Sequence, residues 1–148
     1  MPFLPTFIRD PEDHFMARNL IIIGGGTLQM PLIETAKAMG LFTIVFDMTL
    51  EAPGMKAAHL PVTMSTRDID GCVREAKRLR ETMQIHGVVT AGTDASRAVA
   101  AIAGALELPG IRYADAEAAS NKVLMRKRLK QQGVPGPDFR SVWSIKEA

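Results

Sequence analysis

"IIIGGGTLQMP", residues 21 to 31, runs three β-branched residues into three glycines and then into a segment of helical spacing. In an open parallel sheet this is how a strand hands the chain to a helix, and glycines there let backbone N–H groups approach a ligand. A dinucleotide fingerprint needs G-x-G-x-x-G. Gly24 and Gly26 take its first two places, but Gln29 stands in the third, and Asp47 follows at about the distance of a ribose-binding acid. Three readings stay open: an NAD or NADP loop, a site for another small substrate, or a turn that only joins strand to helix. A P-loop is excluded, because no Gly-Lys-Ser/Thr follows at the required spacing.

A rhythm extends from this junction. "NLIII" (19–23), "LFTIVFD" (41–47), "HLPVT" (59–63) and "HGVVTAG" (86–92) read as strands, the third an edge strand because of its proline. Between them lie amphipathic helices. Leu32, Ile33, Ala36 and Met39 share one face, with Gly40 as the stop. Ile69, Val73, Ala76, Leu79 and Met83 share another, behind Ser65 and Asp68 at the spacing of a capping box. Val99, Ile102, Ala103 and Leu106 form a third, closed by Pro109 and Gly110. "EAPGMKAA" (51–58) reads as a loop or short turn. Alternating apolar strands and amphipathic helices predict a three-layer, doubly wound α/β domain of about four parallel strands.

Beyond residue 110 the rhythm breaks. A helical turn or two near 115–120 precedes a basic helix from about 121, with Val123, Leu124 and Leu129 on its apolar side and Gly133 as its stop; "VPGPDFRSVW" is extended. Ser144 and Glu147 have capping-box spacing, yet the sequence stops at Ala148, from which we expect a fragment of a longer protein. The expected organisation is an N-terminal extension over 1–18, read as extended or as a short helix near "PEDHFMA", the α/β domain over 19–114, and a linker helix with the start of a further domain over 115–148.

Composition narrows the function. At 148 residues, 47% hydrophobic and 23% charged, the chain suits one core. No apolar run approaches the roughly 20 residues of a membrane span, and the N-terminus does not resemble a secretory signal, so a cytoplasmic setting is expected. Cys72 shares a core stripe with Ile69, Val73 and Ala76, and His14, His59 and His86 are scattered, so no metal site is expected. Basic residues gather at 74–80 and 122–130, but at helical spacing and with a net charge of only +2, and neither Tyr113 nor Trp143 interleaves with them. Nucleic acid is not an expected partner. Ligands of parallel sheets sit at the carboxyl ends of the strands, which singles out Gly24, Gly25, Gly26, Thr27, Gln29, Asp47, Thr90, Gly92, Thr93 and Asp94.

"LIIIGGGTLQMPLIETAKAMGLFTIVFD", "APG" with "KAAH", "GVVTAGTDAS", "LELPG" and "SNKVLMRKRLKQQGVPGPDF" together resemble the N-terminal part of ATP-grasp enzymes, over about residues 19–148. Within that family they look most like the carbamoyl-phosphate synthetase large-chain and biotin carboxylase group. The resemblance implies a preATP-grasp domain of an ATP-dependent ligase that activates a carboxylate as an acyl phosphate with Mg-ATP and couples it to an amine. It implies that Lys122 reaches the nucleotide, that Gly24 to Gly26 and Gln29 line an acceptor or carboxylate site, with Asp94 across from them, and that homodimers form through this domain. The family's magnesium-binding and phosphate-stabilising residues would lie beyond Ala148, so this chain alone should bind no cofactor and turn over no ATP. His59 stands where family members often carry an acid. The rival reading is a stand-alone Rossmann-type module that binds a nucleotide or small metabolite.

Overall fold

The computed structural model describes residues 18–92 and 94–147; the expected extension over 1–18, apart from Arg18, and the candidate Thr93 lie outside the described residues. Strands β1 (Asn19–Ile23), β2 (Phe42–Asp47), β3 (Leu60–Thr63) and β4 (Ile85–Val89) form one parallel sheet in the order β3-β2-β1-β4. The chain steps outward from β1 to β3, then crosses to the other side of β1. Period-two alternation splits the core into two layers. Ile21, Ile23, Ile44 and Phe46 meet α3 (Ile69–Arg80) and α4 (Ser96–Ala105) through Cys72, Ala76, Leu79, Ala98 and Ile102. Ile22 and Val45 face the other way, onto Ile33 and Ala36 of α1 (Met30–Ala38) and Met55 of α2 (Pro53–Ala57). This is the expected three-layer α/β fold with a Rossmann-like parallel sheet. Each fully buried isoleucine or phenylalanine contributes about 1.5–3 kcal/mol.

Several boundaries differ from expectation, each for a local reason. "PGMKA" is helical rather than a loop, because Pro53 starts α2 with its preset φ while Met55 has a core to enter. Asp68, not Ser65, caps α3: its side chain accepts the Gly71 N–H at 2.9 Å, whereas Ser65 Oγ accepts only from Arg67 N. Pro109 and Gly110 do not end α4. Glu107 does, at φ +57, with the Leu108 N–H returning to the Ala103 carbonyl at 2.8 Å. Pro61 of β3 is exposed on an edge strand, as expected.

The C-terminal part is two helices and an irregular run. α5 (Tyr113–Ser120) packs on α4, with Ala116 and Ala118 buried, and the boundary expected after residue 114 falls inside this helix. α6 (Lys122–Gln131) is capped by Asn121, whose side chain accepts the Val123 and Leu124 N–H groups, and it stops at Gly133, φ +67. None of its residues is fully buried; it leans on α5, where Asp115 bonds Arg112 and Arg128. Those guanidiniums, Arg112 foremost, hold the Asp115 carboxyl below its ordinary pKa. The last described residues, Ile145–Glu147, form a single 3-10 turn.

Candidate functional site

The β order reverses at β1, so the crevice between the carboxyl ends of β1 and β4 is the switch point where open α/β sheets bind ligands. The glycine loop forms one wall. Gly24 leaves β1 at φ +100 and donates to the Phe46 carbonyl at 2.8 Å. Gly25 lies against β2 and α2, where a β-carbon would stand 3.1 Å from Met55. Gly26 and Thr27 are exposed, and among the described residues no protein acceptor takes their N–H groups. Ala91, Gly92 and exposed Asp94 form the opposite wall, at the same sheet edge because both loops follow parallel strands. Gly92, φ +64, lets Leu28 approach: a β-carbon there would meet that of Leu28 at 3.1 Å.

Not every candidate faces this crevice with free chemistry. Asp47 uses both oxygens on backbone: Oδ2 accepts the Gly25 N–H at 2.7 Å and Oδ1 accepts the Thr49 N–H at 2.8 Å. It shapes the loop rather than standing ready for a ribose. Thr90 donates its hydroxyl to the Ile23 carbonyl at 2.7 Å, tying β4 to β1. Gln29 is only 2% exposed, and its Oε1 accepts the Ala91 N–H at 3.1 Å, so it bridges the two walls from below. Lys122 is an exposed first residue of α6. The Ser96 and Ser120 hydroxyls, 3.0 Å apart, bring the α5–α6 junction to the start of α4 and hence to this same edge.

Sequence spacing missed Gly54. Its N–H donates to the Gly25 carbonyl at 2.7 Å, and a β-carbon on it would stand 2.7 Å from that oxygen and 2.6 Å from Ile33 Cδ1. The close packing that a third fingerprint glycine provides is thus supplied from α2, which frees position 29 for a long side chain. The "APG" triplet was the available signal.

The remaining candidates are structural. Cys72 is buried, donates to the Ser65 carbonyl, and burial chiefly, with Asp68, pushes its thiol up to about 11. His59 Nδ1 accepts the Thr43 N–H, and its ring stacks on Phe42. His86 sits at the register shift between β1 and β4, where its Nδ1 accepts the Asn19 N–H that the ladder leaves over. Among the described residues no cluster of histidine, cysteine or acids could hold a metal ion, and no helix is long and apolar enough to cross a membrane. Two cavities share no lining residue with the glycine loop: about 330 Å³ between α6 and residues 133–139, and about 580 Å³ between the start of α3, α4 and Tyr113.

No protein-family model and no curated protein matches the chain. Solved structures do. Phosphoribosylglycinamide synthetase from Anaerococcus prevotii is 25% identical, with a TM-score of 0.71 over 78% of this chain and 29% of its own. L-amino acid ligase from Bacillus licheniformis is 26% identical, with a TM-score of 0.73 over 88% and 34%. Glycinamide-RNase-transformylase T from Mycobacterium tuberculosis, 21% identical, shares the fold at a TM-score of 0.69 over 88% and 37%. The chain therefore has the α/β fold of a portion of these enzymes, spanning about a third of their length.

Proposed function

We propose that this chain is the N-terminal, substrate-binding part of an ATP-dependent carboxylate–amine ligase of the ATP-grasp type. The observation that carries this reading is a glycine loop with unpaired N–H groups at the switch point of a sheet that resembles a synthetase and a ligase at TM-scores of 0.71 and 0.73. In such an enzyme an acyl phosphate forms with Mg-ATP, and an amine then displaces the phosphate. The chain's share is to hold a small anionic substrate at Gly24 to Thr27, with Asp94 opposite and Lys122 at the edge where nucleotide would enter. Residues 115–148 would lead into the nucleotide-binding part, which would supply the magnesium ligands. The expected carbamoyl-phosphate synthetase-like branch is one version of this reading; the neighbours named above support the ligase class without choosing that branch. A small carboxylate or amine partner, a homodimer and a cytoplasmic setting, without nucleic acid or membrane, belong to the same proposal.

The alternative is a Rossmann-type nucleotide or metabolite module. Gln29 at the third fingerprint place, and an Asp47 spent on backbone, argue against NAD within it. Calorimetric titration of the 148-residue chain and of the full gene product with Mg-ATP, and separately with NAD, decides. Binding of Mg-ATP by the longer protein only is the expected result, and micromolar binding of NAD by the chain would overturn it.

A further inference from the structure

Gln29 is a long polar side chain enclosed at the floor of the crevice, 2% exposed. Its orientation is set by chemistry: the Ala91 N–H is a donor, so the carboxamide oxygen faces Ala91 and the nitrogen faces away. That nitrogen lies beneath Gly24, where a β-carbon would stand 3.3 Å from it. Among the described residues Nε2 has no acceptor, while every fully enclosed side-chain nitrogen and oxygen there has a partner. The carboxamide nitrogen is therefore the part of Gln29 left open. A donor whose side chain is already pinned at its other end gives up little further entropy when it binds a ligand.

We propose that Gln29 is a specificity-determining residue of the crevice, donating from Nε2 to a carboxylate oxygen of the substrate. The inference rests on the ligase reading for its substrate class and decides which end of a carboxylate–amine pair this floor receives. A donor with no acceptor function left on that side favours a carboxylate and offers nothing to an ammonium group. Residues 24–29 and 90–92 contain no lysine or arginine, so the recognition is by hydrogen bonds rather than by a formal positive charge.

The test uses the 148-residue chain itself, and so stands apart from the Mg-ATP titration that tests the ligase reading. The Gln29 side-chain N–H₂ resonance is followed by nuclear magnetic resonance during titration with sodium acetate, with sodium chloride at matched ionic strength, and with acetamide. A saturable shift with acetate alone is expected. Gln29→Glu keeps an oxygen for the Ala91 N–H but turns the donor into an anion, and acetate binding should weaken about tenfold or more, as for loss of a hydrogen bond to a charged group. A Gln29 resonance that does not move, or moves equally with chloride, overturns the proposal, as does unchanged acetate affinity in a folded Gln29→Glu protein.

Discussion

Asp47 shows how a residue can stand where a motif wants it and do different work. Both of its oxygens accept backbone N–H groups, so Asp47→Ala should cost about 2 kcal/mol or more, and Asp47→Asn less, because the amide keeps one acceptor. Urea denaturation of the three proteins gives the order. Cys72 makes a second prediction. Its folded pKa of about 11 lies above the ordinary 9.0, so both states hold the proton at neutral pH and the thiol then contributes no pH dependence. As pH rises through 9 toward 11 the unfolded chain ionises first, and about 2–3 kcal/mol of stability should drain away. Cys72→Ala should flatten that alkaline loss, apart from a constant cost for its cavity. The core role of Cys72 was legible from its stripe with Ile69, Val73 and Ala76. The two bonds of Asp47 were not, since they depend on how β2 is placed beside the glycine loop.

Three helices end in one motif. After α1, α4 and α6 the residue in the left-handed region is Gly40, Glu107 and Gly133, and each time the following N–H returns to the last turn: Leu41 to Ala36, Leu108 to Ala103, Val134 to Leu129. Two of the three use glycine, which is why those ends could be read from sequence. Glu107 hid the third, and Gly110 drew attention instead; a β-carbon on Gly110 would press on Ala103, so its glycine serves packing. Glu107→Gly should stabilise the chain by about 1 kcal/mol, and Gly133→Ala should destabilise by a similar amount, both readable as shifts in the urea midpoint. α2 was also illegible, because five residues are too few for a periodic pattern and its helix exists through contact with α1 and β2. Gly54→Ala should be the most damaging of these changes, since its β-carbon would meet backbone at Gly25, and thermal melting should show the largest loss there.

Across the whole domain, one sheet edge gathers the candidate residues. Parallel strands carry the glycine loop, the Ala91–Gly92 turn and Asp94 to the same side, and the Ser96–Ser120 contact brings the start of α6 there too. If the ligase reading holds, Lys122→Ala in the full gene product should weaken Mg-ATP binding while leaving the melting temperature unchanged, because Lys122 is exposed; equal affinity would remove Lys122 from the nucleotide site. The sequence by itself determined the alternation of strand and helix, the parallel sheet, the edge position of β3 and the pairing of a glycine loop with a switch point. These follow from periodicity and from short-range backbone preference, which act within a few residues. Only the tertiary structure decided that Asp47 is consumed by backbone, that Gly54 does the packing of a third fingerprint glycine, and that Gln29 lies beneath the crevice with one end held and one end open. Each of those joins residues far apart along the chain, and no spacing rule registers an interaction whose partners meet only after the layers have packed.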